Sequence, residues 1–212
     1  IAGGAFVIIT LINDFMAFYL HYLQHKIPLL WQFHKVHHSG EVMHPLSNFR
    51  EHPIDNLVYK TIIALVTGLS WGFIIKLLGY QPTQPTILGI ALVATVFNLA
   101  GYHLRHSHIW LKWPGIWSKI FASPAHHQIH HSRHPDHLDK NFAFTFPLWD
   151  VLFKTYEMPE DNRDVEFPRI CLHLCPFLKA AGTGTLGPGY SKRSGASKAD
   201  SLIFHHQKVF LK

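Results

Sequence analysis

Between Trp31 and Gly40 the chain reads WQFHKVHHSG, which places His34, His37 and His38 within five positions. The same H-x-x-H-H spacing returns as His127, His130 and His131 in SPAHHQIHH. On a helix, positions i, i+3 and i+4 share a face, with Cβ atoms roughly 5–6 Å apart. Imidazoles so placed can converge on metal ions, each nitrogen about 2 Å from its ion. A third element, HYLQH, sets His21 and His25 one helical turn apart. Asp14 lies seven residues before His21, on the same helical face, where a carboxylate is a natural partner to fix the tautomer of a ligand imidazole. In YHLRHSH, His103 and His106 can share a face while His108 is displaced from both; of these, His106 is the strongest candidate.

These sets exceed the four ligands of a single tetrahedral ion, so their number points to two metals. An all-nitrogen shell suits Fe, Zn, Cu or Ni and disfavours Ca or Mg. No H-E-x-x-H stands in the chain, which argues against a zinc protease. Redox-active iron beside lipid tails would serve oxygen activation and attack on an unactivated C–H bond. A separate CLHLC stretch could form a Cys/His knuckle from Cys171, His173 and Cys175, but no second pair completes it and free thiols are the simpler reading.

The positioning elements follow from composition. Of the 212 residues 48% are hydrophobic and 15% charged, against about 25% charged in an ordinary soluble domain. Residues 1–20 are apolar apart from Asn13 and Asp14, and further apolar runs cover 57–79 and 86–102. YQPTQPT between them cannot continue a helix and reads as the turn of a transmembrane hairpin. Such a hairpin puts both histidine-rich regions on one membrane face. Lys26, Lys35, Arg50, Lys60, Arg105, Lys112 and Lys119 share that face and Lys76 alone lies near the turn, so it is expected to be cytoplasmic, at a bacterial inner membrane or an ER membrane. The net charge of +6 forms no dense stripe, so it reads as membrane-topology charge and not as a nucleic-acid surface. The competing reading is a greasy soluble protein that buries the hairpin.

The expected fold is therefore all-α: multi-pass membrane helices under a cytoplasmic, histidine-rich helical cap. Ser123 and Pro124 fit the N-cap and first position of a short helix displaying the second triplet, which Pro135 limits. Residues 1–156 are expected to form the membrane-embedded domain, and the opening on Ile1 leads one to expect that it is N-terminally incomplete. Residues 157–212 form a polar, partly flexible tail in which His205 and His206 are surface residues.

The order D…HYLQH, HKVHHS, R-E-H-P-I-D, H-S-H, SPAHHQIHHS and DKNFAFTFPLWDVLFKT resembles the fatty acid hydroxylase/sterol desaturase superfamily over roughly residues 14–155. The resemblance implies an integral-membrane enzyme with two Fe ions that uses O2 and two electrons to hydroxylate or desaturate a lipid C–H bond. It carries the ligand role to His21, His25, His34, His37, His38, His106, His127, His130 and His131, with His103 beside them. Arg50, His52 and Pro53 match an R-x-H-P element expected to brace the site, and Asp150 falls in a W-D-x-L-F signature. Zinc can replace iron in purified material, since affinity alone does not select iron. Three positions depart from the pattern: Tyr22 stands for a frequent arginine, and Ala143 and Lys154 stand for glycines, where a turn is expected to be strained.

H-x-x-x-H spacing in the first motif and the W-D-x-L-F element favour the hydroxylase branch over acyl-CoA desaturases. Sterol, fatty acyl, alkylglycerol and carotenoid substrates remain equal candidates. No flavin, haem or nicotinamide fingerprint is present, so a small cytoplasmic electron donor, such as a cytochrome b5-like or ferredoxin-type protein, is implied. Metal transport would place polar ligands within the spans, and an inactive scaffold would have lost ligands; neither pattern is seen.

Overall fold

The computed structural model describes residues 2–79, 83–158, 160–162 and 164–167. Among them the secondary structure is helical, with no strand. Helix α1 spans Ala2–Lys26 and α2 Pro28–His34; a 3-10 turn at His37–Ser39 and another at Pro45–Phe49 lead to α3, Pro53–Leu78. After α4, Gln84–Phe97, come three short helices: α5 (Trp117–Ile120), α6 (Pro124–His130) and α7 (Leu148–Phe153). Cys171, His173, Cys175, His205, His206 and part of the YQPTQPT turn lie outside the described residues.

Two helices, Gly3–Lys26 and Pro53–Leu78, are long and apolar enough to cross a membrane. The second starts earlier than the apolar run predicts. Pro53 supplies a pre-set first helical residue and His52 caps it, its Nδ1 accepting from the Ile54 amide at 3.2 Å. Gly79 closes α3 in the left-handed conformation at φ 59°. The run expected over 86–102 is not one α-helix: α4 stops at Phe97 and continues as a π-helix, Asn98–Tyr102, then as a 3-10 turn at Leu104–His106. The Phe97 ring covers Gly101 so closely that a Cβ there would stand 3.2 Å from it. Such a π segment re-aims the residues after it, here towards His106.

Helix α1 packs on α3 through Ala5, Ile9 and Ile74, with Thr67 Oγ1 donating to Asn13 Oδ1 at 2.7 Å. Outward, α3 presents Leu65, Leu69, Phe73 and Leu77, and α4 presents Leu88 and Leu92, all well exposed. A soluble protein does not leave so continuous an apolar face in water. The hairpin helices are exposed, not buried in a greasy core, as membrane helices require.

The cap is tied to the N-terminal helix by a second aromatic core of Phe18, Phe142 and Ala143, against which Phe15, Tyr22 and Trp149 pack. Tyr22, at the position of the expected arginine, lays its ring 5.3 Å from Phe142 and fills space instead of carrying charge. Strain falls on one of the two glycine departures only. Lys154 ends α7 at φ 59°, whereas Ala143 is not among the positive-φ residues. A side chain with a Cβ costs about 1–2 kcal/mol in that region. Lys154→Gly should therefore raise the stability of the domain by about 0.5–1 kcal/mol, after the entropy glycine loses on folding. Thermal unfolding of the purified variant in detergent reads this out, and an unchanged or lower melting temperature would refute it.

Candidate metal centre

The histidines of separate elements converge on two adjoining groups. His21 and His25 from α1, His34 from α2, His38 and His130 form one; His37, His106, His127 and His131 form the other. Within each, one nitrogen per residue lies within 4.8 Å of all the rest. The groups abut, with the His38 and His131 rings stacked at 4.2 Å and the His34 and His37 rings 5.4 Å apart.

Each H-x-x-H-H triplet is divided between the groups. Helix α2 ends at His34, so His37 and His38 sit on a 3-10 turn and diverge: His38 joins His34, and His37 joins the other set. On α6, His127 and His131 are one turn apart and fall together, while His130 faces the first group. The single shared face expected of each triplet is thus replaced by two faces, which lets two short segments bridge both groups. Ser123 caps α6 as expected. Its Oγ and amide both meet His126 Nδ1, at 2.8 and 3.0 Å.

Hydrogen bonds fix which nitrogen five of the nine rings offer. Nδ1 of His21 meets the Phe142 carbonyl at 2.8 Å, and that of His130 the Lys140 carbonyl at 2.8 Å. His37 Nδ1 meets the Arg50 carbonyl at 3.3 Å, His106 Nδ1 the Ser47 hydroxyl at 2.9 Å, and His34 Nδ1 the Asp55 carboxylate at 2.9 Å. With Nδ1–H donating outward, Nε2 keeps its lone pair and points inward. Nε2 of His34 and of His130 are buried with no partner at all. Elsewhere Nε2 faces Nε2, at 3.1 Å for His25 and His38, 2.8 Å for His106 and His127, and 3.0 Å for His127 and His131. Two ligands about 2.0–2.1 Å from a common ion sit about 3 Å apart, so the arrangement fits a cation between them.

Burial and the neighbouring imidazoles hold the rings of the cap neutral. His37, His38, His127 and His131 are pushed well below the ordinary histidine range, first by desolvation and then by surrounding histidines. Desolvation draws His106 and His130 down to about 3, with Arg105 adding to the effect. Neutral imidazole is the form that binds metal.

The supporting residues differ in part from those expected. His103 lies outside both groups: its ring packs 4.9 Å from Phe49 and takes a hydrogen bond from Asn48 Nδ2 at 3.3 Å, which turns it to the wall of the site. Asp14 does not pair with a histidine. Its carboxylate accepts from the Thr145 and Phe146 amides at 3.0 and 3.2 Å and from Trp149 Nε1 at 2.9 Å, clamping the cap loop to α1. Asp150 braces at one remove: it accepts from the Phe142 and Ala143 amides at 2.8 and 2.9 Å and from Thr155, and so holds the carbonyl that orients His21. Arg50 acts through its backbone carbonyl, and His52 acts as the cap of α3. The carboxylate on a histidine is instead Asp55, held also by Gln24 Nε2 at 2.6 Å. A lone acid in the first turn of an apolar helix is the signal the sequence offers for it.

Asp55→Ala should leave the fold in place and weaken metal binding about 10–100-fold, the usual cost of removing such a partner. Asp55→Asn, which can still accept from His34, should recover part of it. Metal retained against a graded chelator series measures both; equal retention in all three proteins would refute the role.

The family model for fatty acid hydroxylase matches residues 6–155. Curated relatives include the alkylglycerol monooxygenase of Homo sapiens, 27% identical over 149 residues, covering 70% of this chain and 30% of that protein. The ornithine lipid hydroxylase OlsE of Rhizobium tropici is 28% identical over 148 residues, covering 70% and 40%. A cholesterol 25-hydroxylase-like protein of Danio rerio is 27% identical over 154 residues, covering 68% and 52%. The chain thus spans from under a third to about half the length of these relatives. No solved structure matches. Both histidine groups fall inside the matched span, and the chain belongs to the fatty acid hydroxylase family.

Proposed function

We propose that the chain is the core of a membrane-bound, non-haem di-iron lipid hydroxylase, with His21, His25, His34, His38 and His130 on one iron and His37, His106, His127 and His131 on the other. The observation that carries this is the pair of buried groups whose inward Nε2 atoms meet only one another or nothing. Bound there, the iron pair would supply the activation of O2 for insertion into a C–H bond. The protein's own part is to fix His21, His34, His37, His106 and His130 through Nδ1, keep the rings neutral and exclude water. Hydroxylation is favoured over desaturation because the relatives named above are hydroxylases and a monooxygenase, and each of their names that specifies a lipid specifies a different one. The electron source belonging to this reading is a separate cytoplasmic donor, such as a cytochrome b5-like or ferredoxin-type protein.

His130→Ala and His131→Ala act on different groups. Each should abolish product formation and lower bound iron, while membrane insertion is retained. His173→Ala and His205→Ala should keep most activity. Product and iron are measured together at matched expression, with 18O2 tracing oxygen into any product lipid. Near-normal turnover in the His130 variant would sink the assignment.

The histidine face is proposed to be cytoplasmic. In a chain freed of Cys171 and Cys175, Ser39→Cys and Arg133→Cys should react with an impermeant maleimide only from the cytoplasmic side, and Thr83→Cys only from the other. Labelling of Ser39→Cys and Thr83→Cys from the same side would break this topology.

A further inference from the structure

Pro53, Asn56, Leu57, Lys60, Thr61 and Ala64 recur at spacings of three and four along α3, and so share one face. That face lines an open groove of about 540 Å³, completed by Phe49 and Glu51. Leu57 and Phe49 are each more than three-fifths exposed on the apolar surface that a bilayer would cover, so the groove opens to lipid. A second, inner cavity of about 60 Å³ reaches His21, His34, His37 and His127, with Tyr59 and Phe144 in its walls. Glu51, Asn56 and Lys60 line both spaces. Between them Asn56 Nδ2 donates to Glu51 Oε2, a contact that lies where groove and cavity meet.

The inner cavity also holds unmet polar groups. Asn48 and Arg105 line it, both more than nine-tenths buried, and Asn48 Oδ1 and Arg105 Nε have no hydrogen-bond partner. An unpaired buried acceptor or donor is costly. A hydroxyl group donates and accepts, and so can satisfy both; a methylene satisfies neither. The space holds about two water-sized groups, so only a short part of a guest enters while the rest of its chain stays in the groove.

We propose that Glu51, Asn56 and Lys60 form a lateral gate through which a hydroxyl-bearing lipid passes from the bilayer to the histidine centre, its chain lying along the α3 groove. This deepens the hydroxylase reading and rests on it. Lys60 keeps its ammonium at the polar rim while its stem borders the groove, and parting the Asn56–Glu51 hydrogen bond opens the way.

The test uses the full chain in nanodiscs with two photoreactive probes, a long-chain alcohol bearing a diazirine near its hydroxyl end and the same chain without the hydroxyl. The alcohol should label Tyr59 and Phe144 by peptide mapping, and the chain lacking the hydroxyl should label only the outer face at Leu57. Thr61→Trp, which fills the groove, should abolish the inner labelling, whereas Leu69→Trp, further along the exposed helix, should leave it. Inner labelling that survives Thr61→Trp, that is equal for both probes, or that is absent while Leu57 is labelled would overturn the gate. Iron is measured on the same samples. Normal labelling without iron would count against the metal assignment alone, and two irons per chain without inner labelling against the gate alone.

Discussion

Everything in this structure answers to one electrostatic constraint: imidazole lone pairs aimed at each other in a buried space. Five histidines gather beside four others, with three Nε2–Nε2 pairs at separations near 3 Å, where no protein hydrogen runs once Nδ1 carries the proton. Such a cluster is unfavourable by itself, because each nitrogen has lost water without gaining a donor. It becomes favourable around a cation. The protein therefore has to supply rigidity through the outer hydrogen bonds, made to the buried Ser47 and Asp55 side chains and to the carbonyls of Arg50, Lys140 and Phe142.

Three of those bonds are to backbone carbonyls, so the site depends on loops being held as firmly as helices. The cap loop around Phe142 illustrates how this is done. Asp14 in α1 and Asp150 in α7 each gather backbone amides of the same stretch, residues 142–146, from opposite ends. Burial raises the Asp150 carboxyl above the ordinary range, and the bonds from Thr155, Ala143 and Phe142 oppose that shift. The carbonyls of Phe142 and Lys140 are then free to aim at His21 and His130. Helix α1 and a loop over a hundred residues later become one support.

The membrane supplies the other half of the architecture. Helix α3 does two jobs with two faces: Asp55 and Tyr59 turn to the histidine side, and the stripe from Pro53 to Ala64 turns to the groove. The π segment after α4 similarly ends an apolar helix and delivers His106 to Ser47 and His127. Both are places where an otherwise featureless apolar run is interrupted to serve the site.

The chemistry was legible from the residues. Histidine types, their H-x-x-H-H and H-x-x-x-H spacings and their position beside apolar runs are local properties, so the helical class and the histidines that gather into the two groups could be read along the chain. The partition of each triplet between two groups could not, because it turns on where α2 ends and a 3-10 turn begins, a matter of packing and not of spacing. The same holds for the exchange of roles between Asp14 and Asp55. Each is the lone acid of an otherwise apolar helix, Asp14 midway along α1 and Asp55 in the first turn of α3, and only the approach of the cap loop to one and of His34 to the other separates a loop clamp from a histidine partner. His103 stands apart from both groups for a like reason: sequence distance sets it beside His106, but its ring packs on Phe49 and meets Asn48. Short-range pattern determined which atoms were available for the site; which of them meet was decided by contacts between segments far apart in the chain, and no local periodicity encodes those.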